Sequence, residues 1–275
     1  YMQSKGEKAK VDKAIRPIIH RLTNHQNKHQ LWSWWGNSEN TSFWMSAHIL
    51  RALKMAQDAG YPVELNLNGL KVEYAHTRPY RGMKLEDIEI LHALHEWKVE
   101  ADYSSAVRLL EPFVRQLEQK EDSLANRNKY YRPLSYLKEK LLLWEIKQQV
   151  DSVNVGDSVR PYLKKDMLEG VYCDDGRRTY YWEGNQMINT LIAYRIIKND
   201  PSLCKLKENM QLYILRTKER GWNTYQASSA VATVLTDLLA GSGGMSGTSV
   251  SVSGKDHQRI TEFPYHARLT AGDSL

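Results

Sequence analysis

The chain has 275 residues, 41% of them hydrophobic, which is enough to bury the core of one large domain or two ordinary ones. Its net charge of +6 arises from basic and acidic residues that alternate along the sequence, so neither a basic block nor a binding motif points to nucleic acid. No run approaches the ~20 apolar residues that a membrane span needs, and direct membrane insertion is therefore not expected.

The first predicted helix carries a single apolar stripe. Its members are Val11, Ile15, Ile18 and Leu22. Steps of four, three and four residues place them on one face of an otherwise solvated helix. Residues 203–214 repeat this pattern, so both helices should bury one face on a core.

Other segments predict helices that are enclosed by their neighbours. Residues 41–59, 187–197 and 227–239 are apolar around most of the helical circumference. Amphipathic helices precede or alternate with these enclosed ones along the chain. This order predicts an all-α fold in which an outer ring of helices packs on an inner ring, that is, an α/α toroid of helical hairpins.

Three further helices are predicted at 85–97, 103–117 and 134–150. Pro133 suits the first turn of the last helix, where its missing N–H costs little. Pro112 falls within the second, and we expect a kink or a break there.

The composition changes after Ala240. Residues 241–247 have the composition of a flexible Gly/Ser linker, and residues 249–254 alternate at a strand period. We therefore predict a helical domain over 1–240 and, over 241–275, the linker with the start of a β-rich segment. The chain is expected to be a fragment of a larger protein.

Each enclosed helix follows an aromatic cluster and a polar turn. The clusters contain Trp32, Trp34 and Trp35, then Tyr180, Tyr181 and Trp182, and finally Trp222. Packing at the helix ends is one interpretation of the five tryptophans. In the other, they form a binding surface whose aromatic faces stack on sugar rings.

The second interpretation needs catalytic carboxylates, as in a carbohydrate-active enzyme of the α/α-toroid type. Asp174 or Asp175 with Glu183 are the candidates for acid–base work on a glycosidic bond. Glu39 and Asp87 are further candidates for lining the cavity. Adjacent aspartates followed by glycine also favour a simple turn, which is the preferred interpretation of Asp174 and Asp175.

The sequence predicts no metal and no cofactor. His92 and His95 lie one helical turn apart, but a third ligand has no candidate. Cys173 and Cys204 belong to no paired ligand motif, so zinc is not indicated. The two cysteines form either a disulfide in an exported protein or two separate thiols, and spacing alone leaves both open.

Several segments together carry a family resemblance. They read RLTNHQ at 21–26, LWSWWG at 31–36, SFWMSAHILRAL at 42–53, AGYPV at 59–63, GWNTYQASSA at 221–230, VSVSG at 250–254 and FPY at 263–265. In this order they resemble the thioester-domain region of bacterial alpha-2-macroglobulin-like proteins. The resemblance implies an α/α toroid within a large protein of the protease-trap class. Its location would be periplasmic, cell-envelope or extracellular, with the signal and any anchor outside this fragment.

The thioester of that family is not found in this sequence. Reactive members join the Cys and Gln of a Cys-x-Glu-Gln motif, which follows neither Cys173 nor Cys204. The nearest sequence, at 116–119, lacks the cysteine and is expected to be surface helix. Because the family's motif precedes its first Leu-x-x-x-Gln landmark, a thioester before residue 1 stays open.

The resemblance therefore implies a noncatalytic domain. It would act as a scaffold in protease trapping or cell-envelope defence. Its partners would be other domains of the same parent chain, and proteases.

Overall fold

The computed structural model describes residues 5–35, 40–67, 82–179, 186–218, 221, 224–241, 250–252 and 258–260. The structure is 66% helical and 4% strand, which confirms the all-α prediction at the level of fold class. The chain forms two compact units, Tyr1–Ser229 and Ala230–Leu275. The boundary expected after residue 240 stays a prediction.

Eight helices and one hairpin are described up to residue 218. The helices are α1 (Lys5–Asn24), α2 (Phe43–Asp58), α3 (Leu85–Glu96), α4 (Tyr103–Arg127), α5 (Leu137–Val150), α6 (Gly156–Val159), α7 (Gln186–Ile197) and α8 (Cys204–Thr217). Short 3-10 turns lie at Arg160–Tyr162 and Pro201–Leu203, and the hairpin strands are β1 (Leu163–Lys165) and β2 (Val171–Cys173).

The remaining elements are short. They are α9 (Thr224–Ala230), a π-helical turn (Val231–Leu235), α10 (Thr236–Gly241), β3 (Val250–Val252) and β4 (Gln258–Ile260). β3 and β4 pair antiparallel with Val250 opposite Ile260, so the predicted strand in the tail is present. None of the helices in the described ranges is long and apolar enough to cross a membrane.

Four helices, α2, α3, α5 and α7, pack side by side in that order, and we call them the central row. α4 packs on α5, whereas α8 packs on α7 and on β2. α1 joins the row through Ile19, which shares a buried apolar cluster with Leu50 and Leu53 of α2. All eight residues from Asp87 to Leu94 of α3 are buried, and so are all eight from Met187 to Tyr194 of α7. The enclosure predicted for 187–197 is therefore observed. The enclosure predicted for 41–59 is wrong, because only Ser46, Ala47, Leu50 and Leu53 of α2 are buried, and they form a single stripe.

Side chains fix where several of these helices begin. Ser42 caps α2 by accepting a hydrogen bond from the backbone N–H of Met45 at 3.3 Å. Asp102 caps α4 in the same way through Ser105 at 3.0 Å. These caps satisfy N–H groups that have no partner within the helix.

The apolar stripe of α1 differs from the predicted one by one residue. Ile18 is 57% exposed, whereas Ile19 is buried. Ile15 and Leu22 pack against the same cluster as Ile19, so the stripe follows Ile15, Ile19 and Leu22. The spacing of four and three residues suits a helix equally well from either position, and only the tertiary contacts decide between them.

The break expected at Pro112 is absent. α4 runs through this residue and continues to Arg127. Val107, Leu110 and Val114 are buried on the same helix. Their packing on both sides of the proline holds the helix together despite one missing hydrogen bond.

The helix predicted from residue 134 begins later, at Leu137. Leu134 instead forms an isolated β-bridge with Arg178. The N–H of Ser135 donates to Arg178 at 2.8 Å, and the N–H of Arg178 donates to Pro133 at 3.1 Å. Pro133 therefore precedes the helix rather than occupying its first turn.

Candidate functional site

The first tryptophan of the predicted binding cluster is part of the core. Trp32 is 3% exposed, and its indole N–H donates to the carbonyl oxygen of Leu22 at 2.8 Å. Its backbone N–H donates to Ser46 Oγ at 3.0 Å, which ties the loop to α2. Trp32 thus joins α1 to α2 and offers no face to a ligand.

The other two tryptophans of this cluster are on the surface. Trp34 is 60% exposed and Trp35 is 87% exposed. The ring of Trp34 stacks on Trp44, with ring centroids 5.5 Å apart and planes inclined by 8°. The centroid of Trp44 lies 4.3 Å from that of His48. An exposed aromatic stack of this kind suits a flat or apolar ligand face.

Trp44 was not among the predicted binding residues. The available signal was its four-residue spacing from His48, which places both on one face of α2. Trp182, Trp222, Glu39 and Glu183 lie outside the described residues.

Asp87 has a local role rather than a place in a cavity. It is 4% exposed, and its Oδ2 accepts a hydrogen bond from the N–H of Lys84 at 2.7 Å. This bond closes the first turn of α3.

Asp174 lies in a turn. Its Oδ1 accepts the N–H of Gly176 at 3.0 Å, and its Oδ2 accepts Lys164 and Gln186, each at 3.2 Å. Burial raises the pKa of Asp174, but these hydrogen bonds outweigh burial and hold the pKa below its usual value. The carboxylate is therefore a hydrogen-bond acceptor at neutral pH and a poor proton donor.

Asp175 is oriented by different partners. Its Oδ1 accepts the N–H of Arg177 at 3.1 Å, and its Oδ2 accepts the hydroxyl of Ser135 at 2.7 Å. Both aspartates thus accept a bond from the N–H two residues ahead, the geometry of consecutive Asx turns. The arrangement fits the preferred interpretation of these residues as turn formers.

A groove of about 560 Å³ lies at the N-terminal end of α7. Asp174, Arg177, Gln186 and Tyr213 contribute to its wall. Its volume lies in the range of small-molecule sites. Arg177 is anchored by its Nη2, which donates to Asp122 at 2.8 Å. The groove therefore presents one carboxylate and one guanidinium, both held by neighbours.

A chain of charged side chains, each buried or half-buried, crosses the central row. It runs through Lys138, Glu89, Arg51, Glu96, His92, Glu145 and Arg195. Each helix of the central row contributes at least one of these charged residues. Every pair of neighbouring helices in the row is therefore joined by at least one of the ion pairs.

At one end of this charge chain, Glu89 of α3 lies between two cations. Arg51 Nη1 is 2.5 Å from Glu89 Oε2, and Lys138 Nζ contacts the other carboxylate oxygen. The side chain of Glu89 is only 4% exposed. Burial raises the pKa of Glu89, but Lys138 and Arg51 outweigh burial and lower it far below its usual value.

At the other end, Glu145 of α5 lies between His92 and Arg195. Arg195 binds both carboxylate oxygens at 2.7 Å, and His92 Nε2 lies 2.9 Å from Glu145 Oε2. His92 Nδ1 lies 3.6 Å from Glu96 Oε2. Burial lowers the pKa of His92, but the charges of Glu96 and Glu145 outweigh burial and raise it.

The predicted histidine pair separates into two environments. His92 belongs to the charge chain, whereas the ring of His95 meets Tyr103 edge-on with centroids 4.9 Å apart. Burial, followed by the charge of His92, lowers the pKa of His95. Within the described ranges, no group of three or more His, Cys, Asp or Glu side chains could hold a metal ion.

The two cysteines are free thiols in different surroundings. Cys173 is buried on β2, and its N–H donates to Thr190 at 2.9 Å. Burial, assisted by Asp174 and Asp175, raises the pKa of Cys173 to about 12. Cys204 is exposed at the start of α8.

Sequence reasoning did not identify the charge chain. The signal was single charges within apolar runs, such as Glu89 between Ile88 and Ile90 and Arg195 between Tyr194 and Ile196. Such a charge on an enclosed helix requires a buried partner. Which residue provides it is not visible in the sequence.

Comparisons with protein-family models, with curated proteins and with solved structures found no match to this chain.

Proposed function

We propose that the chain is a noncatalytic helical domain of a large exported protein of the alpha-2-macroglobulin-like class. It serves as a scaffold in protease trapping or cell-envelope defence, in the periplasm, the cell envelope or outside the cell. The sequence resemblance suggests this class. The buried charge chain is the observation that favours a scaffold within it.

The proposed architecture is an α/α toroid. The central row provides inner helices, and α1, α4 and α8 provide outer ones. The order of packing along the row supports this assignment, because consecutive inner helices of a toroid are neighbours. The enclosure of α3 and α7 supports it as well.

The charge chain supports a structural role because its carboxylates are neutralised by fixed partners. Glu89 and Glu145 have lowered pKa values and lie 4% and 9% exposed. A general acid needs a pKa near the working pH and access to the substrate. Buried ion pairs of this kind instead specify which helix faces meet.

The test uses the full-length natural protein that contains this chain. It is mixed with trypsin, and hydrolysis of casein is compared with hydrolysis of a small chromogenic peptide. A trap suppresses cleavage of the large substrate and spares the small one, because the enclosed protease stays active. Equal cleavage of both substrates, with and without the protein, would rule out trapping.

A second measurement decides whether the trap is covalent. Intact mass and free thiols are measured before and after methylamine. A gain in mass with one released thiol indicates a thioester in the full-length protein, whereas no change favours a scaffold without one.

The competing carbohydrate-active enzyme has its own assay. Release of reducing ends from a panel of polysaccharides, lost in Asp174→Asn, would replace the scaffold by a glycosidase or lyase. We expect no such release, since the lowered pKa of Asp174 disfavours proton donation.

A further inference from the structure

A pocket of about 320 Å³ lies between helices α4 and α5, at the lower end of the volumes of small-molecule sites. Two ion pairs that cross from one helix to the other belong to its lining. Lys147 Nζ lies 3.0 Å from Glu111 Oε1, and Lys140 Nζ lies 3.1 Å from Glu118 Oε1. The helices therefore run antiparallel here, and the two pairs mark the ends of the pocket about 10 Å apart along the helices.

Apolar side chains line the pocket between the two ion pairs. Val114 and Leu143 are each 1% exposed. The half-buried Trp144 contributes an indole ring beside them. Indole faces bind other flat rings by offset stacking. This part of the pocket therefore suits an aromatic group, and the spacing of the ion pairs limits that group to one or two fused rings.

Arg115 carries the one charge of the pocket that is not neutralised within the described residues. It is exposed on α4, and its guanidinium makes no hydrogen bond or ion pair in that part of the chain. The two lysines of the pocket are already paired with the two glutamates. The pairs cancel, and a single positive charge is left beside the apolar lining. A guanidinium holds a carboxylate through two parallel hydrogen bonds.

We infer that the α4–α5 pocket binds a small aromatic carboxylate, with its ring against Trp144 and its carboxylate on Arg115. A nucleotide is a poor match, because it brings several negative charges to one unpaired cation. A long fatty acid exceeds the distance between the ion pairs and gains nothing from stacking. The inference does not depend on the proposed function.

Titration of the full-length natural protein with 2-naphthoate, followed by saturation-transfer NMR, tests the inference. We expect saturable binding with a Kd of about 1 mM or below, as for a ligand of this size in a half-open site. 2-Naphthalenemethanol keeps the rings without the charge and should bind about tenfold more weakly. Cyclohexanecarboxylate keeps the charge without the aromatic ring and should bind several-fold more weakly.

Two variants locate the binding. Arg115→Gln should weaken 2-naphthoate about tenfold. Trp144→Leu should remove the preference for 2-naphthoate over cyclohexanecarboxylate. Arg108→Gln is the matched control and should keep the wild-type Kd, because Arg108 is exposed on the same helix and bonds to Ser104 and Ser105. Arg115 is itself exposed, so its variant remains informative even if Trp144→Leu fails to fold.

Three results overturn the pocket as a carboxylate site. The first is the absence of saturable binding up to about 20 mM. The second is equal affinity for the acid and the alcohol, and the third is a wild-type Kd in Arg115→Gln. An equal loss in Arg108→Gln also contradicts the inference, since binding would then follow the overall charge of the protein and not this pocket.

Discussion

The central row and the β1–β2 hairpin distribute charged and apolar side chains in opposite ways. The row encloses Glu89, His92 and Glu145, whereas the hairpin exposes Met167 and Leu168. Stability alone favours the reverse, because buried charges lose hydration and exposed apolar groups gain nothing. In the row each charge is neutralised by a neighbouring helix, so the arrangement specifies packing. In the hairpin the exposed apolar groups lie on a turn that backbone hydrogen bonds to Asp166 hold in place.

The largest expected effect comes from removing a buried partner in the row. Glu145→Gln leaves the charges of Arg195 and His92 without their common carboxylate. We expect the free energy of unfolding, measured by urea denaturation, to fall by about 3–5 kcal/mol. Glu111→Gln is the control, since Glu111 pairs with Lys147 in a more accessible position and should cost less than about 1 kcal/mol. Similar losses in both variants would mean that the buried chain has no special weight.

The reaction rates of the two cysteine thiols compare a buried position on β2, Cys173, with an exposed position, Cys204. At pH 8, a thiol whose pKa is raised to about 12 is ionised in roughly one molecule in ten thousand, and Cys173 is also buried. We expect iodoacetamide to modify Cys204 at least about 100-fold faster than Cys173. Intact mass recorded over time measures both rates. In guanidinium chloride the two rates should converge. Comparable rates in the native protein would show that β2 opens readily.

The pH dependence of stability isolates His92. The pKa of His92 is raised in the folded protein. The contribution of His92 to stability is therefore fully present below its ordinary pKa of about 6.5 and is lost as the pH rises through its pKa in the folded protein. The free energy of unfolding should therefore decline above pH 6.5, by at most about 1.4 kcal/mol per pH unit. Glu96, Glu145 and His95 face this ring and are retained in the test.

His92→Gln should remove that decline, whereas His20→Gln, at an exposed position of α1, should retain it. A wild-type profile that is flat between pH 6.5 and 9 would show that His92 is not held as a cation between the two carboxylates.

The sequence predicted the positions of the helices in the central row better than the side-chain contacts between those helices. Helical spacing located α2, α3 and α7, and the enclosure of α7 followed from its apolar circumference. The partner of Glu145 was beyond sequence reasoning, because His92 and Arg195 are 53 and 50 residues away along the chain. Pairings at such separations depend on tertiary packing, which local patterns do not encode.

In the β1–β2 hairpin, by contrast, the secondary structure itself could not be predicted. Each strand has three residues, too few for an alternation to be recognised. Only part of the candidate site could be predicted. Local patterns found Trp34 and Trp35, but they could not show that Trp32 is buried by α1 and α2. The turn at Asp174 was predictable, because its hydrogen bonds are local.

The smallest expected effect concerns the hairpin turn, in which Asp166 holds the backbone while Met167 and Leu168 are exposed. Asp166→Ala removes the acceptor of two backbone hydrogen bonds at an accessible turn and should lower the free energy of unfolding by about 0.5–1.5 kcal/mol. Met167→Ser and Leu168→Ser remove only exposed surface and should change it by less than about 0.5 kcal/mol. Urea denaturation of the three variants measures the difference. If Leu168→Ser were as costly as Asp166→Ala, the apolar tip would belong to the fold, and the contrast with the central row would be lost.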